Sequence, residues 1–533
     1  MKRRDFIKRT APATLLPMIL GGYRINAYSQ SPVLNLLAQS AADTDHVLVI
    51  IQLNGGNDGL NTVIPLDQYS VYSTVRANIA IAENKVLQLK PETGLHPSMT
   101  GLSNIYTQGK LAVVQSVGYP TPNFSHFRAT DIWLTASDYN QYLLTGWMGR
   151  YLNEEFPNYP IGYPNAQMPD PLAIQIGSVV STGLQGETVS LGIAITSPTA
   201  FYNLVTGTTD PAPNTPYGHE LTYIRLIAEQ TNQYSTTIKA AAGKATNKAT
   251  YPTSNSLADQ LKIVAQLVAG GLKTRIYVVN LGGFDTHSSQ VSGSDTSLGN
   301  HATLLGRVSG AIAAFQTDLQ LLGVEKRVVG MTFSEFGRRI VSNASLGTDH
   351  GAAAPVFVFG SNVNGKVYGS NVAIPTNANT NSNIPMQFDF RNIYGSILKD
   401  WFNVPQTELD AMLLTPKFTK FDYIPIIKPD STVSVREEMP EHITLHQNYP
   451  NPFGAAAPSG NPATRIKFTT DGRHVQLKVF DNIGREVSTL VDGVFPAGEH
   501  EVSFIANGLP SGTYYYHLRN GTSSLVKTMI LQK

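Results

Sequence analysis

Five short polar clusters hold the side chains able to do nucleophilic, acid–base or metal chemistry. They are Asn54-Gly-Gly-Asn-Asp58-Gly-Leu-Asn61, Asn123-Phe-Ser125-His126-Phe-Arg128, Gly282-Gly-Phe-Asp285-Thr-His287, Ser334-Glu335-Phe-Gly-Arg338-Arg339 and Gly347-Thr-Asp349-His350-Gly351. Taken singly, each has a plain explanation. The first is an ordinary turn, Ser125 a helix N-cap, His126 a core histidine, and Glu335 with Arg338 a surface ion pair. Jointly they point to a site. Asp285-x-His287 and Asp349-His350 put two carboxylate–imidazole pairs on tight loops, and Glu335 adds a third carboxylate. Hard oxygen plus imidazole suits zinc, manganese, magnesium or calcium. Ser125, just ahead of a helical pattern, would be a nucleophile helped by the helix dipole and a nearby metal. Cysteine is absent, which excludes disulfides, thiolate metal sites and cysteine nucleophiles together.

The elements that must position these clusters are legible as buried runs. Residues 46–53, 111–117, 275–281, 327–333 and 355–359 read as strands apolar on both faces. Leu257, Leu261, Val264 and Val268, and then Leu304, Val308, Ile312, Phe315, Leu319 and Leu322, fall at helical spacing. Buried strands with intervening amphipathic helices predict an α/β fold with a mainly parallel sheet. In such sheets ligands sit beyond the carboxyl ends of the strands. Four clusters follow a strand or open a helix. The fifth, 347–351, stands just before a strand, so it is expected to reach across as a loop.

At 533 residues with 42% hydrophobic side chains, the chain can bury a real core and more than one domain. Thirty-nine basic against 38 acidic residues leave a net charge of +1, with no footprint for nucleic acid. Arg3-Arg4-Asp5-Phe6-Ile7-Lys8 resembles a twin-arginine export signal, which implies a signal peptide over residues 1–30 and the twin-arginine export machinery as partner. No later segment reaches 18 uninterrupted apolar residues, so a transmembrane segment is not expected in the mature chain. Residues 428–440 read as a charged linker between prolines. Beyond it, short strand-like runs separated by Asp-Gly, Asn-Gly and Pro-Ser-Gly turns predict a small antiparallel sandwich over 441–533.

Leu445-His-Gln-Asn-Tyr-Pro-Asn-Pro-Phe453, Gly484-Arg-Glu-Val, Pro496-Ala-Gly-Glu-His500, Leu509-Pro-Ser-Gly-Thr-Tyr514 and Lys527-Thr-Met-Ile-Leu531 resemble the C-terminal sorting domain of type IX secretion clients. The resemblance implies passage to the cell surface or medium through the type IX machinery. A carbohydrate-binding sandwich using Tyr514, Tyr515 and Tyr516 is the plainer alternative.

In the larger domain, residues 44–427, Asp58-Gly-Leu-Asn-Thr, Gly94-Leu-His-Pro97, Ser125-His-Phe, Gly146-Trp147, Gly283-Phe-Asp-Thr-His287, Ser334-Glu-Phe-Gly-Arg-Arg339 and Gly347-Thr-Asp-His-Gly351 resemble the family called domain of unknown function 1501, over about residues 44–405. That family is grouped with the alkaline phosphatase-like superfamily. The grouping implies a doubly wound α/β core, usually two metal ions, and hydrolysis of phosphate or sulfate esters. On this resemblance Ser125 matches the nucleophile, Asp285 and His287 an Asp and His of one metal site, and His350 the late His that completes it. Glu335 keeps a carboxylate where the superfamily has Ser-Asp-His, but Phe336 replaces the imidazole. The first-strand Asp falls at Asn54, with Asp58 four residues on. A one-metal or rearranged site follows.

The reading is then an exported hydrolase of phosphate or sulfate esters, acting on a small-molecule or polymer substrate. Ser125 attacks, and Arg338 or His126 stabilises developing charge. Asp58, Asp285, His287, Glu335, Asp349 and His350 are the candidate ligands of a divalent ion. The alternative is a cell-surface binding or scaffold protein that keeps the fold without catalysis.

Overall fold

The computed structural model describes residues 45–187, 189–198 and 232–428, and further on 445–454, 462–470, 474–495, 498–520 and 523–532. Contacts divide the chain into two units, Thr44–Asp430 and Ser431–Lys533, the latter grouped with Met1–Asp43. The signal at 1–30 and almost all of the linker at 428–440 lie outside the described residues.

The first unit is organised by a nine-stranded sheet among its described residues. Its strands are β1 (Val47–Leu53), β2 (Leu111–Gly118), β3 (Ala173–Ile176), β4 (Gly192–Ile195), β5 (Ile276–Leu281), β6 (Val328–Phe333), β7 (Ala354–Phe359), β8 (Val367–Tyr368) and β9 (Phe388–Asp389). The order is β8-β2-β7-β6-β1-β5-β3-β4, with β9 on β2. β1 lies between β5 and β6 and runs parallel to both, with Ile51 opposite Val279 and Thr332. Side chains of β1 alternate between two cores because successive Cβ atoms point to opposite faces. Leu48 and Ile50 pack with Trp133, Trp147 and Tyr394 from the helices His126–Thr135, Trp147–Glu155 and Phe390–Asp400. Val49, Ile51 and Leu53 pack with Leu102, Leu261, Val264 and Phe315 from the helices Thr100–Thr107, Ser256–Ala269 and Asn300–Leu321. Helices thus cover both faces of a mainly parallel sheet, as the buried runs predict.

β7 departs from that pattern. It runs antiparallel to both neighbours, with Ala354 opposite Val117 of β2 and Val358 opposite Met331 of β6. Its start therefore lies on the same edge as the carboxyl ends of β1, β5 and β6. The loop 347–351 does not have to reach across the sheet, because strand direction delivers it to the site. Periodicity does not report direction, which is why the sequence led to the expectation of a loop reaching across. β3 and β4, four residues each, were too short to register as runs. A three-stranded sheet (Val63–Pro65, Leu87–Lys90, Thr93–Leu95) adds a smaller core around Leu60, Ile64, Tyr72 and Ile340.

In the second unit, a pair of strands, Ala463–Thr470 with Gly498–Ile505, faces a four-stranded antiparallel sheet of His474–Phe480, Glu486–Val494, Gly512–Asn520 and Ser523–Leu531. Ile466 and Phe468 meet Val475, Leu477, Val479 and Leu518 in one core. Tyr514 and Tyr516 are buried in it, so they do not supply an exposed aromatic binding face.

Candidate metal centre

The carboxyl ends of β1, β5 and β6 and the start of β7 bring four of the five clusters together. The loop after β1 makes this close approach through two glycines. Gly55 (φ +125°) and Gly56 (φ +83°) adopt left-handed backbone that L side chains avoid. A Cβ on Gly55 would stand 2.2 Å from the Asp285 nitrogen, and one on Gly56 would stand 2.4 Å from the Phe336 ring. The Gly55 N–H donates to Glu335 Oε1 at 2.8 Å, and the Ser334 hydroxyl donates to the Leu53 carbonyl at 2.7 Å. The glycine-rich turn is therefore a packing device that seats the loops of β5 and β6.

One ligand atom each from His126, Asp285 and His350 lies within 4.8 Å of the others, a group able to hold a metal ion. Asp285 Oδ1 stands 3.1 Å from His350 Nε2 and 3.1 Å from His287 Nε2, and Asp285 Oδ2 stands 3.5 Å from His126 Nε2. The Nε2 atoms of His287 and His350 are 2.9 Å apart. On their far sides the rings are held by the protein. His126 Nδ1 meets Glu335 Oε1 at 2.7 Å, His287 Nδ1 meets Asp349 Oδ1 at 3.1 Å, and His350 Nδ1 meets the Phe124 carbonyl at 2.9 Å. The group is open to solvent, with the Asp285 side chain 46% exposed, whereas Glu335 is buried behind it.

Electrostatics favour a charged Asp285 beside a neutral His350. Burial works to raise the Asp285 carboxyl, but the hydrogen bond and charge of Arg338 outweigh it and hold its pKa at about 2. Burial lowers His350, with the Asp285 hydrogen bond opposing. Asp349 is likewise held below the usual carboxylate range by His287 and Asn343, against burial.

The sequence-predicted residues divide three ways. Asp285, His287 and His350 meet directly, and His126, expected as a catalytic group, joins them. Glu335 and Asp349, expected as ligands, lie behind histidine rings. Arg338 lies buried behind Asp285, and Asp58 is paired with Arg76. Arg338 is fully buried and donates to the carbonyls of Gly55, Gly56, Phe284 and Thr348 as well as to Asp285 Oδ1 at 2.7 Å. With every arm engaged it ties three loops and orients Asp285. Phe336 stands where the resemblance expects an imidazole, and its ring lies 4.9 Å from His126 and 4.5 Å from His350. It walls one side of the group with apolar surface.

Asp58 belongs to a separate buried network that sequence reasoning missed. Its Oδ2 accepts from Arg76 Nη1 and Gln290 Nε2, both at 2.6 Å. Arg76 also donates to the Ile340 and Arg339 carbonyls and to Asn61. Burial would raise Asp58, but Arg76 overrules it and keeps the carboxyl low. His301 Nε2 lies 3.0 Å from Asn57 Oδ1, and His96 Nδ1 accepts from the Ser98 N–H at 3.1 Å. No spacing rule singles out Arg76 or His301, which come from distant helices and turns.

This network sets a pH dependence. Burial, the largest effect, pushes His96 down to about 3 and His301 down to about 4. Both lie below the unfolded value of about 6.5. As pH falls below about 6.5 the unfolded chain takes up protons that the folded chain refuses. Stability is therefore full above that pH and drains toward about pH 4, by roughly 1.4 kcal/mol per pH unit for each histidine. Urea midpoints should fall progressively from about pH 7 to about pH 4.5, and a His96→Gln, His301→Gln double variant should flatten the decline. A wild-type profile that is flat across this range would contradict the assignment.

Ser125 occupies the N-cap position of the helix His126–Thr135, in extended backbone, yet its side chain makes no cap hydrogen bond. It is exposed, between Phe124, whose carbonyl holds His350, and His126.

Comparison with known proteins fits this picture of two units. Residues 224–411 match the family described as "Protein of unknown function (DUF1501)". That stretch holds Asp285, His287, Glu335, Arg338, Asp349 and His350, while the Asp58 and Ser125 motifs lie before it. Residues 448–532 match the secretion system C-terminal sorting domain. The comparison with curated proteins finds no match. Among solved structures, the surface component PorZ of the type IX secretion system of Porphyromonas gingivalis is 18% identical over 20% of this chain and only 14% of that one, with a TM-score of 0.14. A Bacteroides thetaiotaomicron structure described with the metabolism of multiple glycosaminoglycans is 11% identical over 84% of this chain and 90% of that one, with a TM-score of 0.32. A sulfatase from Pseudoalteromonas sp. is 9% identical over 91% and 85%, with a TM-score of 0.31. No helix among the described residues is long and apolar enough to cross a membrane. The chain thus carries, within its α/β unit, a segment that matches the DUF1501 family model and, after it, a match to a secretion C-terminal sorting domain, which indicates export to the cell surface or medium.

Proposed function

We propose that the α/β unit is a metal-dependent hydrolase of phosphate or sulfate esters with Ser125 as nucleophile. One observation carries the reading: an exposed, uncapped serine hydroxyl stands between two residues that each engage the His/Asp group. The first N–H groups of the helix behind it have no intrahelical acceptor, so the position favours an anionic group. A divalent ion held by the group would act as a Lewis acid on the ester and favour the ionised serine. Ser125 Oγ forms a bond to phosphorus or sulfur as the ester bond breaks, and the serine proton leaves on the alcohol. Water then releases the acid from the serine. Arg338 keeps the Asp285 carboxylate aimed and ionised, and the Phe336 ring limits water on one flank.

Export by the twin-arginine machinery, followed by type IX secretion, belongs to the same proposal; the sorting domain supports its second step. A cell-surface binding protein without catalysis is the second reading, favoured by Phe336 at an expected ligand position. Ser125→Ala separates them. Aryl phosphate and aryl sulfate turnover should fall by at least about 10³-fold while metal content is unchanged. Turnover that survives the substitution would remove Ser125 from the mechanism, and a wild-type chain silent on every ester with every divalent ion would favour the binding protein.

A further inference from the structure

The hydrogen bonds behind the three histidines decide which atoms face the centre. The Phe124 carbonyl can only accept, so the His350 proton is on Nδ1. Glu335 Oε1 already accepts from the Gly55 N–H and acts as an acceptor toward His126 Nδ1 as well. Asp349 Oδ1 accepts from the Asn343 amide and likewise faces His287 Nδ1. In a neutral imidazole, a proton on Nδ1 leaves a lone pair on Nε2. Those three Nε2 atoms are the ones turned toward Asp285.

With each Nδ1 engaged on the far side of its ring, the three Nε2 atoms converge on the Asp285 carboxylate, to which Arg338 donates from one side. His350 Nε2 faces His287 Nε2 at 2.9 Å and Asp285 Oδ1 at 3.1 Å, and His126 Nε2 faces Asp285 Oδ2 at 3.5 Å. Imidazole nitrogens and a carboxylate converging at such distances are a donor set suited to a metal cation. Ligands at about 2.0–2.1 Å from a tetrahedral ion stand about 3.3 Å apart; the separations among Asp285 Oδ1, His287 Nε2 and His350 Nε2, 2.9–3.1 Å, lie near that value, and His126 Nε2 stands 3.5 Å from the other Asp285 oxygen. A histidine whose second nitrogen is held by a carboxylate or a backbone carbonyl is the usual outer-shell arrangement around a metal.

We infer that His126, His287, His350 and Asp285 form a single nitrogen-rich metal site, with Glu335 and Asp349 as positioning residues behind the rings and not as ligands. Three imidazoles and one carboxylate select a borderline transition ion of the zinc type. Calcium and magnesium, which take sets made up largely of oxygen, are disfavoured. The inference rests on the same group as the hydrolase reading but not on its chemistry. It leaves the position of Phe336 apolar, so the centre is mononuclear.

The test uses the full chain, stripped with a chelator and titrated calorimetrically with zinc, cobalt, calcium and magnesium ions. Zinc is expected to bind at one ion per chain and to outcompete calcium and magnesium, and cobalt to give the strong visible absorption of a low-coordinate site. His126→Ala should lower zinc affinity by more than about 100-fold, and Glu335→Gln, which keeps the side-chain volume, by about 10–100-fold. Circular dichroism and thermal melting check that each variant folds. His126 is half-exposed, so its loss is not expected to unfold the chain. Preferential calcium or magnesium binding, or unchanged zinc affinity in folded His126→Ala, would overturn the assignment. Zinc binding as stated without ester turnover leaves the site standing and removes the hydrolase; turnover supported only by calcium or magnesium does the reverse.

Discussion

Arg76→Met is expected to cost about 3–5 kcal/mol of stability, read as a large drop in the urea midpoint. The side chain is fully buried, and its guanidinium holds Asp58, Asn61 and two backbone carbonyls at 2.6–3.0 Å. Removing it leaves the Asp58 carboxylate buried with Gln290 as its remaining side-chain donor and strands two carbonyls. Taking one partner out of a buried pair costs far more than the pair contributes, because the surviving charge is left in a medium that solvates it poorly. Pairing Arg76→Met with Asp58→Asn should restore part of the loss. A single variant within about 1 kcal/mol of wild type would show that the Asp58 loop is held by something else.

Asp285→Ala has the largest expected effect on function. Asp285 is the residue that the histidines His126, His287 and His350 and the guanidinium of Arg338 all touch. Its removal should lower metal affinity by more than about 100-fold, beyond the range for an outer-shell residue, and ester turnover should fall with it. The fold should survive, because Arg338 keeps its four carbonyl acceptors. Asp285→Asn, which keeps the shape and the acceptor for Arg338 but not the charge, serves as the companion variant. Loss of metal with undiminished turnover in either would contradict a metal-dependent mechanism.

The sheet strands that matter most were legible because they are buried on both faces. Residues 47–53, 276–281 and 328–333 are nearly continuous apolar runs whose ends place the polar clusters. The direction of β7 was not legible, since an apolar run looks the same in either sense. That single reversal turns the Asp349-His350 loop from a distant reach into a neighbour of Asp285. The gathering of these residue types at one end of the sheet was legible, and their contacts with one another were not. Glu335 and Asp349 have the chemistry of ligands, yet only contact geometry shows their oxygens on Nδ1 atoms. His126 has the chemistry of a charge stabiliser, yet its Nε2 faces Asp285. Arg338 looked available for a substrate because burial of a guanidinium among backbone carbonyls leaves no trace in spacing. Asp58 was drawn into the metal set by motif order, and Arg76, its partner 18 residues away, carries no pattern of its own.

The most direct test of the account is elemental mass spectrometry on the purified full chain, set beside Asp285→Ala prepared in the same way. The account predicts one transition-metal ion per wild-type chain and close to none in the variant. A wild-type chain that holds no metal, even after reconstitution with zinc, manganese, magnesium and calcium, would contradict it, and the histidine and carboxylate loops would then be structural.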